Sequence, residues 1–274
     1  MRKILDIAKW TLTLGSGSQN FLGARWIEPF LRKVSESKKR IWALRILSLS
    51  PHYFFDADNP KYAEMNSTEY LEQMYRESVK TRRDIFENLI KPHVEPTDNV
   101  MEYGCGPGFL AKETAGYAAK VFGCDISGGV LACAEILNHA PNLTYVLADD
   151  KGLEKIENES LDAIYSVAVI QHLSNEIFEI VLKNCEAKLR KGGKLILHIQ
   201  LTDDVWKPEE EWKSDTSIRG KMKLKYGLHC FGRTDQEHKD IIENFNFRVV
   251  SITPLPVVAG DKVSAQALLI AEKQ

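Results

Sequence analysis

The chain has 274 residues, of which 44% are hydrophobic and 27% are charged, as in a globular protein large enough for a sizeable core. The formal net charge of −2 favours no class of charged partner. No run of about 18 apolar residues is present, which argues against a membrane-spanning helix.

Residues 1–50 differ from this average, because they carry ten basic and three acidic residues and therefore a net charge of +7. Apolar residues at helical spacing predict helices within 3–14 and 20–50. One interpretation is a helical extension that packs on the rest of the chain. The other is an interfacial helix that places Trp and Leu side chains in an anionic membrane surface. Nucleic acid is disfavoured, since no basic patch interleaved with aromatic residues is visible.

A further helix is predicted between these segments and residue 98. Asn66 with Glu69 three residues later is a capping box, and the apolar stripe that follows runs to about Ile90. This helix could cover a ligand loop, although packing is the favoured role for its Tyr70, Tyr75 and Arg76. We therefore treat residues 1–98 as a helical N-terminal extension or cap, and 99–274 as the main domain.

The main domain begins with a strand that runs into a glycine-rich loop. Residues 99–109 read NVMEYGCGPGF, in which Gly104, Gly106 and Gly108 follow the acidic Glu102. Glycine allows positive φ and lets the backbone lie directly against a ligand. A loop of this kind at the carboxyl end of a parallel strand is typical of nucleotide sites in open α/β sheets.

From Asn99 onward strands and helices alternate, which predicts a mostly parallel sheet covered on both faces, a doubly wound α/β fold. Strands are predicted near residues 99–103, 121–125, 143–148, 161–168, 193–200, 247–254 and 264–271. Helices are predicted near residues 109–119, 127–140, 174–190 and 234–244.

Acidic residues stand at the ends of these strands. Asp125 ends the second strand 21 residues after Gly104, where a carboxylate can accept hydrogen bonds from both hydroxyls of a ribose. This spacing fits a dinucleotide or an adenosyl ligand. Glu102 would repel a pyrophosphate but would attract an ammonium or a sulfonium. Asp149 and Asp150 follow the third strand, where a carboxylate could accept from an adenine amino group.

With these motifs the chain resembles the class I S-adenosylmethionine-dependent methyltransferases, in particular small-molecule enzymes with an E-x-G-C-G-x-G loop. The resemblance covers about Val100 to the end, and it implies a seven-stranded Rossmann-like sheet with a reversed last strand. It also implies S-adenosyl-L-methionine as cofactor. By this likeness the three loop glycines and Glu102 hold the methionine portion, Asp125 the ribose, and Asp149 the adenine. Asp150, the next residue, is a further candidate for the cofactor site.

Methyl transfer to a hydroxyl oxygen benefits from a general base. His172 is the first candidate, since it follows the fourth strand at the carboxyl edge of the sheet; a hydrogen-bonded loop histidine is the alternative. His198 is expected to be buried in the fifth strand, and His229 lies in the insertion 201–233. This insertion is rich in Trp, Tyr and Phe and is interpreted as part of the acceptor pocket or a lid.

A metal is not expected, because Asp203 and Asp204 lack a third ligand. The resemblance also disfavours planar amino groups as targets, since the N/D-P-P-Y/F element that members acting on them commonly carry is missing. We expect methyl transfer to a small-molecule or lipid-like acceptor at oxygen. A non-catalytic binding subunit is the first alternative, and an NAD-dependent oxidoreductase is the second.

The five cysteines form no C-x-x-C pair and are odd in number, so neither a disulfide framework nor a zinc site is predicted. Residues 1–20 lack the continuous apolar core of a signal peptide. The expected location is cytoplasmic, with peripheral membrane contact through residues 1–50 left open.

Overall fold

The computed structural model describes residues 26–49, 60–202, 207–218, 221, 231–256 and 265–274. Its strands form one seven-stranded sheet in the order β3-β2-β1-β4-β5-β7-β6. The strands are β1 Asn99–Tyr103, β2 Lys120–Asp125, β3 Leu143–Leu147, β4 Leu161–Ser166, β5 Leu189–Gln200, β6 Phe247–Pro254 and β7 Gln266–Lys273. Pairs from β3 to β5 are parallel, whereas β7 is antiparallel to β5 and β6. The predicted mostly parallel sheet with a reversed last strand is confirmed.

Helices cover both faces of this sheet. In the described part of the chain they are α1 Ile27–Lys33, α2 Glu36–Leu47, α3 Ser67–Ile85, α4 Phe109–Ala115, α5 Gly128–Leu137, α6 Asp150–Leu153, α7 Asn175–Lys188, α8 Glu209–Ser214 and α9 Asp235–Glu243. Alternate residues of β1 enter separate apolar clusters, Met101 and Tyr103 on one face and Val100 on the other. This alternation places Glu102 on the same face as Val100.

Several predicted boundaries differ from the structure. The fourth strand ends at Ser166 rather than 168, because the chain turns at Ala168 with a φ of 58°. The fifth strand begins at Leu189 rather than 193, since Leu189 already pairs with Leu161 of β4. The helix predicted over 174–190 therefore ends at Lys188, whose buried ammonium donates to the Ile156 carbonyl at 2.8 Å.

The N-terminal helices pack against the main domain. The helical pattern predicted over 20–50 is divided within the described residues into α1 and α2, with Val34 and Ser35 between them. Their apolar side chains form one cluster with residues of α3 and α5: Ile27, Leu31, Ala43, Leu44, Ile46, Leu47, Leu71, Met74, Val130, Cys133 and Leu137. Residues 26–49 therefore behave as the packing interpretation predicts.

Helix α3 packs against α4 in the first part of the main domain. It begins with the predicted capping box of Asn66 and Glu69, and it continues as a π-helical turn, Phe86–Ile90, before Pro92. The Tyr75 ring contacts the Phe109 ring at a centroid distance of 5.4 Å. The Arg83 guanidinium pairs with Glu113 at 3.0 Å. These contacts join α3 to α4, the helix that follows the glycine loop. None of the described helices is long and apolar enough to cross a membrane.

Candidate functional site

The glycine loop after β1 is fastened to the end of β2. The Gly104 and Cys105 amides donate to the Cys124 carbonyl at 2.7 and 2.9 Å. The Gly106 amide donates to Asp125 Oδ2 at 2.9 Å. Gly104, Gly106 and Gly108 all have positive φ, at 79°, 51° and 76°. The loop shape therefore depends on glycine, as the sequence predicted.

At two of these glycines a side chain would also collide with a neighbouring side chain, which the sequence did not reveal. A Cβ at Gly104 would lie 2.4 Å from a methyl of Val169, which follows β4. A Cβ at Gly108 would lie 2.0 Å from the Tyr145 hydroxyl of β3. The protein itself fills the space beside Gly104 and Gly108, so ligand approach alone does not explain them.

Glu102 is a buried carboxylate at the end of β1, with 4% of its surface exposed. Its Oε2 atom has no hydrogen-bond partner among the described residues. Burial raises the pKa of Glu102 well above its usual value, against the opposing effects of the Arg82 charge and the Ala111 amide. A buried carboxylate with an unpaired oxygen is suited to receive a cationic group.

Arg82, on α3, is a residue of this site that the sequence analysis missed. It lies close enough for its positive charge to lower the pKa of Glu102. Arg82 is seven residues after Tyr75, so both lie on the same face of α3. The i to i+7 spacing, read together with an expected cap over the loop, was the signal that could have identified it.

Asp125 ends β2 and contacts the loop directly. Oδ2 accepts from Gly106 and Oδ1 accepts from the Ser127 amide at 2.8 Å. Burial raises the pKa of Asp125, and the hydrogen bonds from these two amides lower it. Each carboxylate oxygen has two lone pairs, so both oxygens can accept one more hydrogen bond.

Of the two acidic residues after β3, Asp149 has a local structural role. Asp149 is the N-cap of α6, and its Oδ1 accepts from the Gly152 amide at 2.7 Å. Asp149 and Asp150 are both exposed. The Ala148 amide donates to the Asp125 carbonyl at 2.9 Å, which places the end of β3 beside the end of β2.

His172 lies on a short 3₁₀ turn, Ile170–His172, directly after β4. Its amide donates to the Val169 carbonyl at 2.8 Å, and Val169 is the residue that packs against Gly104. Ala168 holds a left-handed conformation, which is uncommon for a residue other than glycine. The turn that carries His172 is therefore in contact with the glycine loop.

The insertion predicted over 201–233 begins and ends beside this turn. The Thr202 amide donates to the Arg233 carbonyl at 3.0 Å, and the Phe231 amide donates to the Gln171 carbonyl at 2.7 Å. Arg233 is 3% exposed and donates through Nη2 to the Leu173 carbonyl at 2.6 Å. Other insertion residues named in the sequence analysis lie outside the described residues: Asp203, Asp204 and His229.

The remaining candidates have packing roles in the structure. His198 is 7% exposed in β5, its Nε2 lies 3.3 Å from Gln266 Oε1, and burial lowers its pKa. It is buried, as expected. Tyr70 is buried against Tyr62, and Arg76 bonds to Gln73 on the surface of α3.

Glu102 thus lies near the end of β1, Asp125 ends β2, and His172 follows β4. These three strands are neighbours in the sheet. The three residues lie at the carboxyl ends of the parallel strands. The strand order reverses between β1 and β4, and this switch point is where open α/β sheets form their ligand crevice.

Comparisons with known proteins agree with this geometry. Residues 101–197 match the methyltransferase domain family. An uncharacterized methyltransferase of Anoxybacillus flavithermus is 31% identical over 120 residues, which are 42% of this chain and 54% of that protein. The chain spans about half the length of the curated relatives it matches.

Solved structures share the fold. A S-adenosylmethionine-dependent methyltransferase of Anabaena variabilis superposes with a TM-score of 0.54 at 18% identity, covering 77% of this chain and 96% of that one. A second one, from Methanosarcina mazei, gives 0.52 at 18% identity over 67% of this chain and 96% of that one. The sequence match is thus to the methyltransferase domain family over residues 101–197, and the sheet with its reversed β7 has the fold of these solved S-adenosylmethionine-dependent methyltransferases.

Proposed function

We propose that this chain transfers a methyl group from S-adenosylmethionine to an oxygen of a small-molecule or lipid-like acceptor. The observation that carries the proposal is a pair of carboxylates, the buried Glu102 and the half-buried Asp125, on either side of a loop that requires glycine. A sulfonium cofactor with an ammonium group and a ribose presents the complementary charges and hydroxyls.

The residues present fit this cofactor. One buried oxygen of Glu102 has no partner within the described residues and could receive the ammonium group, and the nearby charge of Arg82 favours the ionised form of the Glu102 carboxylate. Asp125 retains lone pairs for two ribose hydroxyls. Asp149 and Asp150 are proposed to contact the adenine, with Asp149 still acting as the N-cap of α6. The cofactor supplies a methyl group that is already activated by the positive sulfur.

The protein then has to orient the acceptor and exclude water. His172 is proposed to accept the proton of the acceptor hydroxyl, since its turn contacts the cofactor loop through Val169. The insertion is proposed to form the acceptor pocket or lid, because its two ends meet beside Gln171 and His172. The division into a cap at 1–98 and a catalytic domain at 99–274 belongs to the same proposal.

Calorimetric titration with S-adenosylhomocysteine tests the cofactor assignment. We expect binding in the micromolar range, and we expect Asp125→Ala and Glu102→Ala to weaken it by about tenfold or more, as for charged hydrogen bonds. The exposed Glu154→Ala is the matched control and should leave binding unchanged. No binding by the intact chain at high micromolar concentration contradicts the proposal.

Two alternatives predict different results. An NAD-dependent oxidoreductase should bind NAD. The sheet argues against this alternative, because dinucleotide-binding sheets have the strand order 3-2-1-4-5-6, whereas here β7 lies antiparallel between β5 and β6. A non-catalytic subunit should bind S-adenosylhomocysteine yet transfer no methyl group to any acceptor. A screen of phenols, hydroxy acids and isoprenoid alcohols with radiolabelled cofactor separates this alternative from the enzyme.

We also propose that the N-terminal extension contacts an anionic membrane surface. Trp26 is 49% exposed, and four cations on α1 and α2 are exposed nearby in sequence: Arg32, Lys33, Lys38 and Arg45. Such a combination favours an anionic interface. The intact chain should cosediment with phosphatidylserine vesicles but not with phosphatidylcholine vesicles.

Two triple charge-reversal variants test which surface of the chain binds the vesicles. Lys33→Glu, Lys38→Glu and Arg45→Glu together should abolish the cosedimentation. Lys155→Glu, Lys191→Glu and Lys239→Glu change the net charge equally at exposed positions elsewhere and should preserve it. Equal loss in both triple variants would mean that net charge, and not this surface, governs binding.

A further inference from the structure

We propose that Tyr75 and Asn138 are positioning residues through which the N-terminal helices hold the glycine loop in its ligand-binding shape. The inference rests on the proposed function for the identity of the ligand. It adds the residues that preorganise the site without touching the cofactor.

Asn138 is a fully buried junction at the end of α5, with no exposed surface. Its side-chain amide donates to the Pro107 carbonyl at 2.7 Å. Its Oδ1 lies 2.8 Å from the Tyr75 hydroxyl, and its backbone carbonyl accepts from the Tyr145 hydroxyl at 2.9 Å. One residue therefore connects the glycine loop, α3 and β3.

Tyr75 extends this connection to the N-terminal helices. Its ring contacts Phe109, the first residue of α4 after the loop. The Arg40 guanidinium of α2 lies 4.3 Å from the centroid of the Tyr75 ring, within cation–π range. Two hydrogen bonds of 2.9 and 2.8 Å from Arg40 to Glu72 fix that guanidinium. Contacts thus run from α2 through α3 to the loop.

The bond to Pro107 is placed where the loop needs support. Pro107 stands between Gly106 and Gly108, which both have positive φ. On its other side the loop is held by the bond from Gly106 to Asp125. Without the Asn138 amide, the Pro107 carbonyl would lose a buried partner, and two flexible glycines would be free to relax. The Gly106 amide would then no longer be held against the proposed ribose carboxylate.

Two substitutions test this network: one removes the donor to Pro107, and the other removes the Tyr75 hydroxyl, which also lies 2.9 Å from the Leu137 carbonyl. Asn138→Asp keeps the acceptor for Tyr75 but replaces the donor to Pro107 with a carboxylate oxygen. Tyr75→Phe removes the hydroxyl and keeps the ring. Asn142→Asp is the control for the first, since Asn142 donates to the Ala115 and Ala118 carbonyls at the far end of α4.

Tyr62→Phe is the control for the second substitution. The Tyr62 hydroxyl donates to Glu77 on α3 at 2.7 Å, and Tyr62 is 2% exposed. Tyr62→Phe should lower the folding stability as Tyr75→Phe does, but the hydrogen bond that it removes does not involve the glycine loop. All variants are made in the full chain, and thermal unfolding measures their stability.

Hydrogen exchange of the peptide covering residues 104–110 in the ligand-free chain measures how well the loop amides are protected, and therefore how firmly the loop is held. We expect Asn138→Asp and Tyr75→Phe to speed exchange there several-fold, and both controls to leave it unchanged. Titration with S-adenosylhomocysteine should show about three- to tenfold weaker binding for the two test variants, the effect of one buried hydrogen bond. The controls should bind within twofold of the wild type.

Unchanged loop exchange in both test variants overturns the proposal, as does faster exchange with unaltered affinity. If Asn138→Asp does not fold, Tyr75→Phe decides the outcome alone. If the wild-type chain binds no S-adenosylhomocysteine, the proposed function fails. The exchange data from ligand-free protein then still decide whether Tyr75 and Asn138 hold the loop.

Discussion

The Tyr145 hydroxyl occupies space that a side chain at Gly108 would need, 2.0 Å from the position of its Cβ. Gly108 also has a φ of 76°, so alanine there would be strained in two ways. We expect Gly108→Ala to lower the free energy of unfolding by about 2–5 kcal/mol, measured by urea denaturation.

A double-mutant cycle separates the two sources of this cost. In a Tyr145→Leu background the ring is gone, so Gly108→Ala should cost about 1 kcal/mol less than in the wild type. Additive effects of the two substitutions would mean that backbone conformation alone accounts for the loss.

Glu102 should oppose stability in the ligand-free chain. Its pKa is raised on folding, so the folded state binds the proton more tightly, and stability falls as pH rises from the ordinary value through the raised one. Glu102→Gln removes this dependence and should raise Tm at pH 7 by about 2–4 °C, the shift that ~1 kcal/mol gives. The variant should bind S-adenosylhomocysteine about tenfold more weakly.

Thermal scans from pH 4 to pH 8 measure this difference, which should grow with pH. Glu154→Gln, at an exposed position, should leave the pH profile unchanged. A Glu102→Gln variant that is less stable than the wild type at every pH would refute the assignment of Glu102 as a strained, functional carboxylate.

Arg82→Met removes the cation that acts on Glu102. Removing this cation raises the pKa of Glu102 further, because a charge that favours the ionised carboxylate is lost. We expect about tenfold weaker binding of S-adenosylhomocysteine at pH 7. The decline in affinity on acidification should begin at a higher pH than in the wild type.

The neighbouring Arg83→Met is the control for Arg82→Met. Arg83 pairs with Glu113 on the surface, where solvent screens the pair, so its loss should change stability little and binding not at all. Equal loss of affinity in both variants would point to displacement of α3 instead of a direct charge effect.

His172→Ala should reduce methyl transfer about 10²-fold or more, while affinity for S-adenosylhomocysteine stays within twofold. Initial rates with an acceptor from the screen and calorimetry measure the two quantities. The exposed His139→Ala is the control and should change neither. Wild-type turnover in the His172 variant would remove this residue from the mechanism.

Much of the fold was predictable from local patterns. The seven strands were predicted correctly, because apolar runs and their turn residues are encoded in neighbouring positions. The reversed last strand was expected from the family resemblance, and the structure confirms it. The predicted resemblance to methyltransferases agrees with the family match over residues 101–197, where Glu102, the glycines and Asp125 follow one another at fixed spacing around β1 and β2.

The predicted boundaries failed where pairing between distant residues decides them. Leu189 looked like the end of a helix, but its pairing with Leu161 makes it the first residue of β5. Asp149 was read only as a ligand, whereas its side chain caps a helix of four residues that the apolar pattern does not reveal.

The sequence by itself determined which residue types stand at the strand ends, because strand periodicity and turn chemistry act over a few residues. Tertiary structure decided what surrounds them. Tyr75 bonds to Asn138 across 63 residues, and Asn138 bonds to Pro107 across 31. The charge of Arg82, on helix α3, acts on Glu102, on strand β1. Such contacts depend on how the helices pack against the sheet, which no local pattern specifies.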